Sequence, residues 1–254
     1  MLVIGGADSH NGGMTDAGYG SPVHEALVDA LGAAIVQGDY APGVRLATVE
    51  LAERFGVSRS AAREVVRVLE SFGLVEVRRK AGVEVLPRSA WNVYAPEVLA
   101  WRLAGPDRAD QLRELSQLRS AVEPLAARLA ATAATPAQRE TLVAAVVAMA
   151  RTEHDADSDD YLAADIRFHH TLLEASGNAM LATLGGVVES VLRGRTAHDL
   201  MPHDANPDAV RWHHDVAFAV ASGRADDAGE AMARIVAEAD EAIQDAIAGE
   251  HAPA

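Results

Sequence analysis

The helical periodicity of the C-terminal two-thirds of the chain limits the fold most. Across residues 95 to 249 there is almost no strand pattern, and Ala, Leu and Val recur at the i, i+3, i+4 and i+7 spacing of an amphipathic helix. Turn-forming residues divide this region into helical stretches of roughly 108 to 134, 136 to 154, 159 to 175, 179 to 200, 207 to 221 and 224 to 248. The sequence therefore predicts an antiparallel, all-helical bundle of six or seven helices.

The N-terminal third has a different pattern, in which helices precede two short strands. Ser21-Pro22 supplies an N-cap followed by the proline favoured at the first helical position. Two further helices are predicted at about 49 to 55 and 58 to 71, separated by Gly56, and apolar runs then flank a basic turn. This order of elements predicts a winged helix-turn-helix, so the fold class is mainly α.

Charge is distributed unevenly along the chain, whose formal net charge is −15. Residues 21 to 88 carry nine basic and nine acidic side chains, whereas residues 89 to 254 carry thirteen arginines against twenty-six acids. The N-terminal third can therefore face a polyanion although the whole chain is acidic. We predict three regions: a disordered tail at 1 to 20, a winged helix-turn-helix domain at 21 to 88, and an acidic helical domain at 89 to 254.

Composition excludes several classes of protein. The chain has no cysteine, which rules out a disulfide scaffold, a thiolate zinc finger, an iron–sulfur centre and a cysteine nucleophile. Its apolar runs are shorter than the roughly 18 to 20 residues needed to cross a bilayer, and no signal peptide is apparent. We therefore expect a soluble, cytoplasmic protein with no membrane partner.

The second helix of the predicted helix-turn-helix places basic groups where they can contact DNA. Ser58 at the N-cap leaves backbone N–H groups pointing outward, an arrangement that suits a phosphate. Arg59 and Arg63 are four residues apart and project from one side, so both can reach base edges in a major groove. Arg79 and Lys80 lie at the tip of the predicted hairpin. The alternative is a small helical subdomain with a solvated arginine face.

These residues also resemble a known family. The run L-A-x-x-F-G-V-S-R-S-A-A-R-E-V-x-x-x-L-x-x-x-G-L-V, preceded by I-V-x-G-x-Y-x-P-G-x-R-L, resembles the DNA-binding domain of the GntR family of bacterial regulators. The resemblance implies that double-stranded operator DNA is the partner. The positions that it implies contact the operator are Ser58, Arg59, Ser60 and Arg63, with Arg79 and Lys80 in the wing.

In the helical region, three side chains form a possible metal site. Asp165 and His169 are four residues apart on one predicted helix, so both can point at one ion. His213 shares an apolar stripe with Val210 and Ala217, which turns it toward the bundle interior. A carboxylate with two imidazoles suits Zn, Ni, Mn or Fe better than Mg or Ca. The alternative is a pair of core histidines whose partners are backbone groups or water.

The helical region further resembles the FCD effector-binding domain of the FadR subgroup within the same family. This resemblance implies that residues 89 to 254 form an effector-binding and dimerisation domain, beside the DNA-binding domain at 21 to 88. The resemblance implies a divalent metal, with zinc favoured and nickel or manganese as alternatives, held by one Asp and three His beside a carboxylate effector. Asp165, His169 and His213 match three of those positions, and Ile235 occupies the fourth. The matching stretches are Leu118 to Ala131, Asp165 to Asn178, and His213 to Ala228.

Two arginines are candidates for binding the effector. Arg119 lies in the motif L-R-S-A-V-E-P, where relatives place an arginine against the effector, and a guanidinium can bind a carboxylate through two hydrogen bonds. The alternative is that Arg119 pairs with Glu123, four residues on. Arg195 is the second candidate, with Arg193 near it. The segment Ser89 to Trp101 resembles relatives that respond to sugar acids.

Together these features predict a ligand-responsive transcription regulator and no enzyme. We expect a homodimer that binds a pseudo-palindromic operator, most simply as a repressor of carbohydrate or organic-acid catabolism genes that a small carboxylate releases. Two alternatives remain open. One is a metal-dependent phosphohydrolase that uses His169 with His214 and Asp215, and the other is a DNA-binding scaffold without a ligand.

Overall fold

A computed structural model of the chain describes residues 22–78, 82–197 and 200–250. These residues fall into two compact units that divide between Val93 and Tyr94. The tail predicted at 1 to 20 and the wing residues Arg79 and Lys80 lie outside the described residues. None of the described helices combines the length and apolar composition needed to cross a bilayer.

The N-terminal unit is a winged helix-turn-helix, as predicted. Its strands pair antiparallel in the order β1-β3-β2. The two-residue strand β1 is not predicted from the sequence, because it is defined by its pairing with β3 through Arg45–Glu84 and Leu46–Val83. In chain order the elements are α1 (Pro22–Val36), β1 (Arg45–Leu46), α2 (Thr48–Phe55), α3 (Arg59–Ser71), β2 (Val75–Arg78), β3 (Gly82–Val85) and a 3-10 turn (Arg88–Ala90).

Helix α3 is oriented by its apolar face. Val65, Val66 and Leu69 are buried on that face, so the opposite face remains in solvent. The turn that leads into α3 requires a left-handed residue, and Gly56 supplies it with a φ of 65°. The arginine side of the helix is therefore exposed because the core holds the other side.

The C-terminal unit is the predicted helical bundle. Helix α4 is not predicted from the sequence, because eight residues supply only about two turns of pattern. The stretch predicted at 179 to 200 is divided into α8 and α9 by a turn at Thr183 and Leu184. The helices are α4 (Pro96–Leu103), α5 (Arg108–Ala133), α6 (Pro136–Arg151), α7 (Asp159–Ala175), α8 (Ala179–Ala182), α9 (Gly185–Ala197), α10 (Pro207–Ala221) and α11 (Ala225–Glu250).

Alanine dominates the main core of the bundle, where α5, α6, α7, α10 and α11 meet. Larger side chains, among them Phe168 and Met232, fill the space between these alanines. Because alanine has no side chain beyond Cβ, the helix axes can approach closely. The buried alanines of this cluster include Ala127, Ala130, Ala131, Ala145, Ala217, Ala219, Ala228 and Ala231.

Candidate functional site

The predicted triad of Asp165, His169 and His213 comes together inside the bundle. All three side chains are buried, and one potential ligand atom of each lies within 4.8 Å of the others. Oδ1 of Asp165 is 3.3 Å from Nε2 of His169 and 3.4 Å from Nε2 of His213. Helix α7 contributes the first two residues and α10 the third.

Phe168 holds the two imidazoles in place. Its ring meets His169 edge-on with centroids 5.5 Å apart and meets His213 edge-on at 4.8 Å. The phenyl ring is fully buried. An apolar neighbour of this kind fixes the positions of the rings without competing for their nitrogen atoms.

The nitrogen atom of each histidine that points away from the triad lies beside an oxygen atom of the protein. Nδ1 of His213 donates to the carbonyl oxygen of Ala209 at 2.7 Å. Nδ1 of His169 lies 2.7 Å from Oε2 of Glu123 on α5. Histidine ligands of metals usually have such a partner, which fixes the tautomer and leaves Nε2 free to coordinate. Glu123 was not predicted for this role.

Several buried polar atoms in the triad are poorly satisfied. Oδ1 of Asp165, Nδ1 of His169 and Nε2 of His213 make no well-aligned hydrogen bond with any residue that the structure describes, although Nδ1 of His169 is in ion-pair contact with Glu123. Unsatisfied buried groups are costly, and they suggest a partner such as an ion or a water molecule. One carboxylate oxygen and two imidazole nitrogens in this arrangement fit a divalent transition metal.

The electrostatics of the triad are strongly coupled. Burial alone would raise the pKa of the Glu123 carboxyl, but Arg119 and His169 lower it to about 2. Burial would likewise lower the pKa of His169, yet Glu123 and Asp165 raise it to about 9. For Asp165, burial is outweighed by the two imidazoles, and the pKa lies well below its usual range. Without a metal, the pocket therefore favours ionised carboxylates beside a protonated His169.

A small cavity of about 30 Å³ adjoins the triad. It is large enough for about two water molecules. Arg119, Arg195 and Ile235 all line it, so the structure brings both effector candidates and the fourth metal position to one place. Ile235 is buried and offers only hydrocarbon. Three protein ligands would leave coordination positions open for other molecules.

The two arginines differ in their partners. Nε of Arg119 donates to Oε1 of Glu123 at 2.6 Å, and Nη2 lies 3.5 Å from Oε2, so the alternative pairing considered for Arg119 is present. Arg195 is also buried, but its Nε has no hydrogen-bond partner among the described residues. Burial lowers the pKa of Arg195, and the nearby Arg119 lowers it further.

Glu238 is a cavity residue that sequence analysis did not identify. It lies one helical turn after Ile235 on α11, and its Oε1 accepts a hydrogen bond from Nδ2 of Asn206 at 3.2 Å. The i+3 spacing from Ile235 could have pointed to it, but α11 is rich in acidic residues and nothing local separates this one from the rest.

Other candidates lie away from this cavity. His214 and Asp215 are on the exposed side of α10, with side chains 67% and 47% exposed, so the arrangement required by the phosphohydrolase alternative is not assembled. Arg193 is exposed and pairs with Glu189. A second group of possible metal ligands, also not predicted, lies on the surface and consists of Asp155, Asp157 and His203.

In the N-terminal unit, the predicted DNA-contacting residues of α3 lie together at its start. Oγ of Ser58 accepts a hydrogen bond from the backbone N–H of Ala61 at 3.1 Å, so the predicted N-cap is formed. Ser60, Arg59 and Arg63 are exposed. Within the described residues neither arginine has an ion-pair partner, which leaves both guanidinium groups available to an external anion.

Two family models match this chain. The family described as bacterial regulatory proteins, gntR family, matches residues 23–85, and the FCD domain matches residues 114–238. The galactonate operon transcriptional repressor of Escherichia coli is 33% identical over 210 residues, covering 82% of this chain and 91% of the relative.

Two further matches were found. The Uxu operon transcriptional regulator of Escherichia coli is 36% identical over 155 residues, covering 59% of this chain and 57% of the relative. The solved structure of Lar from Listeria monocytogenes has a TM-score of 0.54 at 19% identity and covers 87% of this chain and 96% of its own. At that identity the structural match supports the fold alone.

Proposed function

The chain belongs to the GntR family of bacterial regulators and carries an FCD domain, and we propose that it is a repressor that a small carboxylate releases from its operator. As a member of this family it is a ligand-responsive DNA-binding regulator and not an enzyme. The observation that carries the proposal is the buried triad beside a cavity lined by two arginines. Because a transcription regulator acts at the chromosome, the proposed location is the cytoplasm.

A divalent metal is the proposed cofactor. Asp165, His169 and His213 would hold it, and Glu123 would orient His169 from behind. Zinc fits this ligand set best, and nickel or manganese are the alternatives. When bound, the cation would supply positive charge at the cavity wall and coordinate an oxygen of the effector.

The proposed effector is a small organic acid, such as a sugar acid. Arg195 and Arg119 are the proposed contacts for its carboxylate, and the named relatives regulate galactonate and Uxu operons. A cavity of about 30 Å³ is too small for such a molecule. We therefore expect the segment that contributes Met201 and Pro202 to the cavity wall to move when the acid binds.

For DNA binding we propose that α3 enters the major groove. Ser58 and Ser60 would contact phosphate, and Arg59 and Arg63 would reach base edges. The same proposal places Arg79 and Lys80 of the wing along the backbone. Two copies would bind half-sites about one helical turn apart. The acid can shift the protein away from DNA only by binding the released arrangement more tightly.

The proposal is tested with the DNA upstream of the protein's own gene neighbours. Fluorescence anisotropy measures operator affinity for the wild type, for Arg59→Ala and for Arg67→Ala, an exposed arginine on α3 that pairs with Glu64. We expect Arg59→Ala to weaken specific binding by roughly 1–3 kcal/mol and Arg67→Ala to have little effect. Equal binding by all three proteins would contradict the placement of α3.

The acid is identified by adding a panel of sugar acids and dicarboxylates to the zinc-loaded protein on its operator. We expect one of these acids to release the protein from its operator DNA. If no acid changes either the operator affinity or the melting temperature, the protein is better described as a ligand-free DNA-binding scaffold.

A further inference from the structure

Helix α6 presents an apolar face to solvent. Its inner side packs Leu142, Ala145 and Met149 into the bundle. On its outer side Val143 and Val147 are 47% and 44% exposed, and Ala144 lies exposed between them. Paired β-branched residues around an alanine form a surface against which another helix can pack closely.

Opposite charges flank this apolar face. Glu140 precedes it and Arg151 follows it, and both are exposed. Among the residues that the structure describes, neither has an ion-pair partner. At about 100° per residue, positions 140, 144, 147 and 151 all fall within an arc of about 60°, so the two charges and the apolar residues share one stripe.

This stripe is complementary to itself. If a second α6 packs antiparallel about a two-fold axis between positions 145 and 146, Glu140 of each copy faces Arg151 of the other. The same operation places Ala144 against Val147, so a small residue meets a larger one. A parallel arrangement would instead bring like charges together. Two-fold interfaces between identical chains require this kind of self-complementarity.

We propose that the exposed face of α6 (Glu140, Val143, Ala144, Val147 and Arg151) is an interface between two copies of this chain. This proposal rests on the proposed homodimer and assigns one part of its interface. A single helix pair covers less than the roughly 800 Å² per partner of a stable complex. The α6 contact is therefore one part of the dimer contact, and changes in it shift the dimer dissociation constant without abolishing association.

Charge exchange tests the interface. Sedimentation equilibrium at one low salt concentration measures the dissociation constant of the full chain for the wild type, E140R, R151E and the double variant E140R/R151E. Each single variant places like charges opposite each other twice, and we expect it to raise the dissociation constant about tenfold. The double variant restores the pairs with reversed sign and returns the constant to near the wild-type value. E174R, an exposed charge reversal on α7, is the control that leaves it unchanged.

Cross-linking gives a measurement that does not depend on charge. The chain has no cysteine, so V147C carries a single thiol. A short bis-maleimide should join two copies of V147C far more efficiently than two copies of M180C, which is exposed on α8. Circular dichroism confirms that each variant is folded.

The outcomes separate this interface from the dimer itself. A wild-type chain that stays monomeric at all concentrations would overturn both the proposed homodimer and the α6 interface. A dimer whose dissociation constant ignores E140R and R151E, or whose cross-linking is equal for V147C and M180C, would overturn the α6 interface alone. Weakening by both single variants without recovery in the double variant would overturn the antiparallel register.

Discussion

Oε2 of Glu123 lies 2.7 Å from Nδ1 of His169, so a carboxylate of α5 contacts a histidine of α7 from the side away from the triad. The other carboxylate oxygen of Glu123, Oε1, accepts a hydrogen bond from Nε of Arg119. One buried side chain thus connects the proposed metal site to one of the two arginines of the cavity.

Replacing this carboxylate should weaken zinc binding. We expect Glu123→Gln to reduce zinc affinity by about 10- to 100-fold, because the neutral amide keeps one acceptor oxygen for two donors, Arg119 and His169, and no longer places a negative charge beside the ring of His169. Competition against a chromophoric chelator measures the affinity. Glu174→Gln, an exposed change on the same helix as His169, is the matched control. Equal affinities of Glu123→Gln and wild type would show that Glu123 does not support the metal.

The metal-free protein should lose stability as the pH rises from neutral. The pKa of His169 is raised from 6.5 to about 9 in the folded chain. The contacts that raise this pKa stabilise the folded chain fully below pH 6.5, and their contribution is lost as the pH rises through about 9. Glu123 and Asp165 stay ionised throughout this range and contribute nothing to the slope.

Melting temperatures of chelator-treated protein between pH 6 and pH 9.5 measure this effect. His214→Asn, an exposed change on α10, should keep the wild-type slope. A melting temperature that stays constant or rises across the range would contradict the charge state assigned to His169.

Ile235→His should tighten zinc binding. Ile235 lines the same cavity as the three proposed ligands, so a histidine there can supply a fourth nitrogen atom. We expect affinity to rise by at least about tenfold. The same change should lower the stability of the metal-free protein, since it buries a polar ring in place of hydrocarbon. Ile235→Ala removes the side chain without adding a ligand, and a similar gain in affinity there would contradict the explanation.

Arg195→Met should abolish the response to the effector without lowering the stability of the protein. The Nε group of Arg195 is buried without a partner in the described part of the chain, so removing the charge should leave the melting temperature unchanged or raise it. The melting-temperature shift produced by the effector acid should be lost. Arg193→Met, an exposed change two residues away, should retain that shift. Retention of the shift in Arg195→Met would remove this residue from the proposed site.

Sequence patterns predict those parts of the fold that depend on local spacing. Helix α10 begins at Pro207 and ends at Ala221, as expected from its proline, its apolar stripe and the following Ser-Gly. The i,i+4 spacing of Asp165 and His169 likewise brings their side chains together. In both cases the information lies within a few turns of one helix.

Features that depend on distant contacts are not predictable in this way. The contact of Glu123 with His169 joins two helices, and no spacing within α5 indicates it. The position of Glu238 on the cavity depends on how α11 packs. The pairing of Arg119 with Glu123 could be stated from their spacing as an alternative, but the burial of both groups depends on how the whole bundle packs.

The alanine core has a consequence for how this protein can vary. A buried alanine loses no rotamer freedom on folding, so the interior is ordered at low entropic cost. A buried alanine also has only a methyl group to lose, so the large-to-small substitutions that usually destabilise a core cannot occur at these positions. Apart from replacement by glycine, a substitution at one of these alanines adds volume, typically at about 1–3 kcal/mol per overpacked site. Larger residues at these positions should therefore push the helices apart. Ala217 lies one turn beyond His213 on α10, so a larger residue there should displace His213 from the triad while the chain remains folded.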